Sequence, residues 1–429
     1  MPTWVNWARN ARCEPAVIER PGSRAEVIAA VGRAAAAGRT VRVAGSGHSF
    51  TDGVLTDGTL LSLSRMGRLL DVDPESGLAR VEAGITLDEL SRALHLHGLA
   101  LPNLGDIDVQ SLAGAIATAT HGTGARLPNL SAQVEELELV LADGSERRLT
   151  AADGDLLRAA RVGLGSLGVV VAATLRCVPS FRIRGVKGRE SLEQVLSSLD
   201  ERVDGAEHFE FWTFPHSPLA VTRWNSRTED ECDAPGRVGE WLEDVLLENH
   251  GLSLFNRAAR RFPGAIPVLN RTAGRLASRS ERVDWSFRIF ASPRMVRFVE
   301  MEYAIPREHA AQAVSGTRSI LERYPVSFPL ELRFVAADDA LLSPSAGRDT
   351  AYIAVHVFEG MAWEAPFREF EAFMSGLGGR PHWGKLSFLS ASELAPRYPA
   401  WEAFQAARRE LDPEGRFTNE WAARVLGPL

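Results

Sequence analysis

The segment Val41-Arg42-Val43-Ala44-Gly45-Ser46-Gly47-His48-Ser49-Phe50 constrains this 429-residue chain more than any other. Val41, Val43 and Ala44 read as a short buried strand, which breaks into Gly45-Ser46-Gly47. Glycine reaches backbone dihedrals closed to other residues. Such a turn can aim several N–H groups at one point and let an anion approach closely. Ser46 and Ser49 add hydroxyl donors around His48. A strand, a glycine turn and a surface histidine would give the same pattern, since short glycine motifs recur by chance.

The flanking sequence supplies the context. Ser23 and Glu26 form a capping-box pair, Val27, Ile28 and Val31 follow at helical spacing, and Gly38 ends that helix. Leu60–Leu63 and Leu70–Val72 alternate, and the turn Pro74-Glu75-Ser76-Gly77 makes a hairpin with Ala79–Ala83. Thr86 and Glu89 open a second helix. Residues 102–124 are small and nearly uncharged after Asp108. Thr118, Thr120, His121 and Thr123 beside glycines suit backbone packed against a large ligand, although a plain buried helix would look similar. Val134–Leu141 and Arg147–Leu149 flank an Asp143-Gly144 hairpin turn. Gly163-Leu-Gly-Ser-Leu-Gly168 matches G-x-G-x-x-G, but a helical segment precedes it and a β-branched run follows. That order is inverted for a dinucleotide fingerprint and excludes a Rossmann nicotinamide site here.

A boundary is expected near Pro179. Beyond it, strands at 181–186, 207–213, 220–224, 283–290, 298–305, 327–335 and 351–358 alternate with helices. A charged, helix-prone insertion is expected over 227–282, and mostly helix from Trp363 onward. The fold class is therefore α+β, and the length predicts two domains. A formal net charge of −7 gives no basic face for nucleic acid. No run approaches a membrane span. Cys13, Cys177 and Cys232 are too scattered for a disulfide framework and point to a reducing, cytoplasmic setting. No cysteine–histidine cluster suggests a metal. His95 and His97, two apart in a helix, are expected to be solvated.

A second constellation lies downstream. Glu331 and Arg333 share one face of an alternating strand, Leu330–Phe334, either as functional groups or as a surface ion pair. Gly378-Gly-Arg-Pro-His-Trp-Gly-Lys385 sets His382 and Lys385 in a glycine- and proline-rich loop, a setting that often carries function.

Together these pieces resemble a known family. GSGHS, VEAGITL, HGLALPNLG, THGTG, GLGSLGV, LELRF, DDALLSP, GGRPHWGK and LDPEGRF run in order along the chain. They are similar to segments of the sugar-1,4-lactone oxidases within the vanillyl-alcohol-oxidase-type flavoproteins. The resemblance implies a PCMH-type FAD-binding domain over 13–179 and an α+β substrate cap over 180–378. A C-terminal segment, 379–429, would return toward the flavin. It implies that His48 attaches FAD covalently, with Val43, Ala44, Gly45, Ser46, Gly47 and Ser49 at the pyrophosphate-side turn. Gly105, Asp106, Ser111, Gly114, Thr118, His121, Gly122, Gly168 and Val169 fall in the other FAD segments.

Glu331, Arg333 and Lys385 match a substrate-side Glu-x-Arg pair and lysine, with His382 or Lys385 as base, the lysine activated by neighbouring cations. The implied reaction takes a hydride from the 2-hydroxyl carbon of an aldono-1,4-lactone and reduces oxygen to hydrogen peroxide. Other readings are a dehydrogenase with a quinone, cytochrome or dye acceptor, an alditol oxidase, and a non-catalytic flavin-binding protein. Asp106 stands where alditol oxidases carry serine. Gly105 stands where galactonolactone dehydrogenases carry a larger residue, which suits an oxidase. The resemblance sets no oligomeric state.

Overall fold

The protein was analysed as a computed structural model that describes residues 2–233, 251–276, 279–292 and 294–429. In the first half, Ser23 caps α1 (Arg24–Ala36) by accepting from the Glu26 N–H, and Val27, Ala30, Val31 and Ala34 bury one stripe. The helix connects β1 (Val17–Glu19) to β2 (Val41–Ala44), and with β3 (Thr59–Ser62) these form a parallel sheet ordered β1-β3-β2.

Next come β4 (Leu69–Asp73), β5 (Leu78–Glu82), α2 (Leu87–Leu96), α3 (Leu112–Ala117), β6 (Val134–Val140), β7 (Glu146–Leu149), α4 (Asp155–Arg161) and β8 (Val169–Arg176). Their strands form an antiparallel sheet ordered β7-β6-β8-β5-β4. The 163–168 turn joins α4 to β8, the inverted helix-to-strand order expected from sequence. Thr86 and Glu89 complete a reciprocal capping box on α2. His95 is half-buried rather than solvated. It lies 4.4 Å from the Trp285 ring, whose apolar face shields it.

The second half is built on one eight-stranded antiparallel sheet. Its strands are β9 (Arg182–Ser191), β10 (His208–Thr213), β11 (Leu219–Thr228), β12 (Ser280–Trp285), β13 (Phe298–Pro306), β14 (Leu330–Val335), β15 (Thr350–Phe358) and β16 (Arg380–Pro381). The order is β12-β9-β11-β10-β14-β15-β13-β16. One face packs on α7 (Ala310–Leu321) and α8 (Glu364–Gly376) through Leu330, Leu332, Phe334, Met301, Tyr303 and Phe370.

Of the expected insertion, residues 234–250 and 277–278 lie outside the described residues. The described helices there are α5 (Leu252–Arg261) and α6 (Ile266–Leu276). The insertion is narrower than 227–282, because residues 280–285 form edge strand β12 on β9. Ser280, Glu281 and Arg282 gave that strand no apolar period. Residues 286–290, expected as strand, are helical.

The remaining chain crosses back. Helices α9 (Trp401–Leu411) and α10 (Glu420–Leu426), with Trp383 and Tyr398, share one core with Leu87, Leu112 and Leu157 of the first half. Phe417 enters the layer formed by Val27, Val41 and Leu61. Among the described residues no helix is long and apolar enough to cross a membrane. Phe417→Ala should cost about 3–5 kcal/mol through the cavity it leaves. A lowered urea midpoint checks this, and an unchanged midpoint would show that the C-terminal return contributes nothing to the first layer.

Candidate active site

A cleft of about 740 Å³ opens between the β2 turn, α3, the 163–168 turn and the C-terminal return. Val43, Gly45, Ser46, Gly47, His48, Ser49, Ser111, Gly114 and Thr118 line it, together with Trp4, Leu164, Gly165, Trp383 and Trp421. The turn must be glycine-rich. A Cβ on Gly45 would collide with the Ser111 hydroxyl, and Gly47 holds φ +73°. The backbone N–H groups of residues 46–49 meet no acceptor among the described residues, as an anion cradle requires.

Trp7 donates its N–H to Gly47 O (2.8 Å) and stacks on His48 with ring centroids 5.3 Å apart. Burial, helped by the Lys385 charge, lowers the His48 pKa to about 4, so its imidazole is neutral near pH 7. Its Nδ1 is buried without a hydrogen-bond partner. An anion cradle beside an orphaned, neutral imidazole nitrogen and an apolar wall fits a flavin dinucleotide.

The other resemblance-derived positions do not line this cleft. Ala44 is buried within β2. Gly105, Gly122 and Gly168 are close-packing glycines. Their Cβ atoms would meet His121 O (3.0 Å), the Leu104 carbonyl with Asn103 Oδ1, and Val140 O (3.1 Å), respectively. Val169 is a core residue. The 120–124 segment stitches the halves together. Gly124 N–H donates to Phe334 O (2.7 Å), and the Thr123 hydroxyl donates to Phe209 O (2.7 Å). Through Thr123 and Gly124 it packs on the large sheet.

The second face of that sheet carries charge yet is buried against the first half. In register, Arg223 of β11 pairs with Glu210 of β10, and Arg333 of β14 pairs with Tyr352 of β15. Ala354 lies between Glu331 and Glu302, and His356 pairs with Glu300. Glu331 and Arg333 are each 7% exposed, so they are not a surface pair. Arg333 Nε donates to Glu331 Oε1 (2.5 Å), its Nη2 lies 2.7 Å from Asp106 Oδ2, and Nε lies 3.2 Å from Glu210. Arg294 also binds Asp106, at 2.5 Å.

Burial acts to lower the Arg333 pKa, but the three carboxylates hold it well above the usual value. Asp106 is held well below the usual range because Arg333, Arg294 and Arg223 outweigh its burial. Glu210 behaves oppositely. Burial, reinforced by Asp106 and Glu331, raises it to about 7 against the pull of Arg333 and Arg223.

The 382–386 loop runs along β13, with His382 N–H on Glu302 O (2.9 Å) and Leu386 N–H on Glu300 O (3.0 Å). Phe50 N–H donates to Gly384 O (2.8 Å), which joins this loop to the His48 turn. Lys385 was expected among cations but faces a carboxylate, with Nζ 2.5 Å from Glu300 Oε2. Burial notwithstanding, Lys385 and His356 pull Glu300 down to about 2.

His382 Nδ1 accepts the Gly384 N–H (3.0 Å), and burial lowers its pKa to about 3. That nitrogen is engaged, which weakens His382 as a base. His121 sits here rather than at the β2 turn. Its Nδ1 donates to Gly122 O (2.9 Å), and Nε2 faces Glu302 at 3.4 Å. His121, Glu302 and His382 could meet one cation by distance alone. The Gly384 N–H, however, fixes His382 with its proton on Nε2, which opposes ligation through that nitrogen.

Sequence reasoning missed Glu300, Glu302 and Glu210, because strand alternation read as a solvated face. It also missed Trp4 and Trp7, whose only signal was two tryptophans in a polar N-terminal stretch.

Comparison with known proteins agrees with this arrangement. Residues 15–150 match the FAD binding domain, and residues 173–425 match the D-arabinono-1,4-lactone oxidase family. The chain is 46% identical to the L-gulono-1,4-lactone dehydrogenase of Mycobacterium tuberculosis over 429 residues, covering 100% of both chains. It is 33% identical to the L-gulonolactone oxidase of Mus musculus, covering 98% of this chain and 97% of that one. It is 34% identical to an alditol oxidase of Streptomyces, covering 98% of each. A solvent-stable cholesterol oxidase superposes with a TM-score of 0.84 at 20% identity, over 99% of this chain and 97% of that one, a likeness of fold alone. The chain thus has a two-domain α+β flavoprotein fold and belongs to the sugar-1,4-lactone oxidase family of FAD-dependent oxidoreductases.

Proposed function

We propose that this chain oxidises the 2-hydroxyl of an aldono-1,4-lactone of the L-gulono-1,4-lactone type, with oxygen as the electron acceptor. The observation that carries this reading is the meeting of the His48 turn with the Lys385 loop through Phe50 and Gly384, beside the buried Glu331–Arg333 pair. FAD, when bound, supplies the acceptor for the substrate hydride and passes the electrons to oxygen, which leaves as hydrogen peroxide. Residues 46–49, Ser111, Gly114 and Thr118 would hold it, and His48 Nδ1 is the atom suited to attach it at the 8α-methyl.

Lys385 and Arg333 supply positive charge for the alkoxide that develops as the hydroxyl proton leaves. Glu331 and Asp106 hold the Arg333 fork in place. Orientation of the substrate C–H bond contributes much of the rate. The 46% identity to a protein named a dehydrogenase favours a second reading in which a different acceptor replaces oxygen. A cytoplasmic location accords with three unpaired cysteines.

Anaerobic mixing with L-gulono-1,4-lactone should bleach the flavin absorbance, and air should restore it with release of peroxide. Bleaching without recovery in air would move the protein to the dehydrogenase reading, and no bleaching would sink the lactone reading. In His48→Ala, acid precipitation should release the flavin into the supernatant. A yellow pellet from that variant would show attachment elsewhere. Lys385→Met should lower kcat by about 10²-fold with flavin retained, and unchanged stopped-flow reduction would remove its role.

Glu210 has a folded pKa of about 7, above the unfolded value of about 4.3. Its contribution to stability is therefore full below the unfolded value and is lost as pH rises through 7. The Tm of the wild type relative to Glu210→Gln should fall between about pH 4.5 and about pH 7.5 and stay level above that. A constant difference would refute the shifted pKa.

A further inference from the structure

The α5–α6 hairpin carries a face that the reaction does not use. Residues 251–279 contain six arginines and no aspartate or glutamate, in a chain whose net charge is −7. Elsewhere arginines are repeatedly matched with carboxylates, but Arg257, Arg260, Arg261, Arg271 and Arg275 form no ion pair among the described residues.

Between these arginines stand Leu254, Phe262, Val268 and Leu276, which are 72%, 60%, 62% and 77% exposed. With the neighbouring Met295 they make up half of the ten exposed large apolar side chains among the described residues. The hairpin is seated firmly below this face. Asn256 and Asn270 are fully buried, with Ser327 Oγ donating to Asn256 Oδ1 (2.6 Å) and Asn270 Nδ2 donating to Val326 O (3.0 Å). A cavity of about 670 Å³ opens beside it, lined by Arg257, Arg260, Arg297, Met295, Phe358 and Glu359, three arginines to one acid.

We propose that this face docks the protein on an anionic lipid bilayer. The arginine-lined cavity would take a phosphodiester headgroup, and Leu254, Phe262, Val268 and Leu276 would enter the acyl boundary. Arg260 donates to Glu359 O (3.2 Å), while guanidinium groups without a carboxylate partner, interspersed with exposed apolar side chains on paired helices, are the composition of an interfacial, non-spanning membrane contact. The cations select the headgroup charge, and the apolar residues select a bilayer over free phosphate. The floor of the cavity adjoins the cleft, because Arg297 Nε donates to Trp7 O (3.1 Å) and Trp7 stacks on His48.

The test is co-sedimentation of the full-length holoprotein with phosphatidylglycerol and with phosphatidylcholine vesicles. Binding is expected to phosphatidylglycerol alone and to weaken as salt rises. Arg261→Glu combined with Arg271→Glu should weaken it by at least about tenfold, and Phe262→Ser should weaken it further, with lactone turnover and Tm unchanged. Absent binding, or binding that ignores these substitutions, overturns the proposal.

Three other occupants would also overturn it. Saturation by inorganic phosphate without vesicle binding would make the face a phosphate site. A dimer in sedimentation velocity that the substitutions dissociate would assign it to a second copy. A lowered Tm in the glutamate variants without vesicle binding would assign it to residues 234–250, whose sequence carries Glu240, Glu243, Asp244 and Glu248.

Discussion

The active site depends on burying a charged sheet face. The eight-stranded sheet turns Leu330, Leu332 and Phe334 toward α7 and α8, so strand alternation turns Glu331 and Arg333 the other way. In an isolated sheet that face would meet water. Here the first half covers it, and every ionised group on it needs a partner, because an uncompensated buried charge is costly. The neighbouring strands supply partners at matching register. Glu210 and Arg223 stand beside Arg333, while Glu302 and Glu300 stand beside His121, His356 and Lys385. Asp106 and His121 come from the first half and complete the pairing from above. The two halves are thus held in one relation by charge as well as by apolar contact.

Much of this was legible in the sequence where a local rule had to be obeyed. The Gly45–Gly47 turn, the inverted 163–168 motif and the Glu331–Arg333 pair each carry a signature that survives tertiary context. Boundaries were less legible where side chains gave no period, as in β12, whose polar residues lie at a sheet edge. The main loss was Glu300 and Glu302. Phe298–Pro306 alternates acidic and apolar residues, as a half-solvated strand does, and no local feature announces that its polar side is covered by His121 and by the 382–386 loop, both distant in the chain. At 120–124 the small polar residues carry a second role that no local signal announced, contact between the halves through Thr123 and Gly124.

The same burial makes the site electrostatically uneven. Asp106 stays ionised because Arg333, Arg294 and Arg223 outweigh its burial, whereas Glu210, equally enclosed, is crowded by Asp106 and Glu331 and is raised to about 7. Arg333 therefore works in a field set by Asp106, Glu331 and Glu210, of which Glu210 loses its charge as pH falls through about 7.

Arg42 has a consequence for how the chain comes into being. Its buried guanidinium donates to carbonyls of Gly53, Leu164, Gly165 and Phe417, and the adjoining Val41 N–H donates to Arg416 O. These acceptors come from the beginning, the middle and the end of the polypeptide. During synthesis, the N-terminal layer waits for residues 416 and 417 to emerge before its central arginine is satisfied. The cleft therefore closes only after residues 416 and 417 have been made, and a chain that stops short of them would leave the ribosome with a cofactor-binding half that has no finished floor.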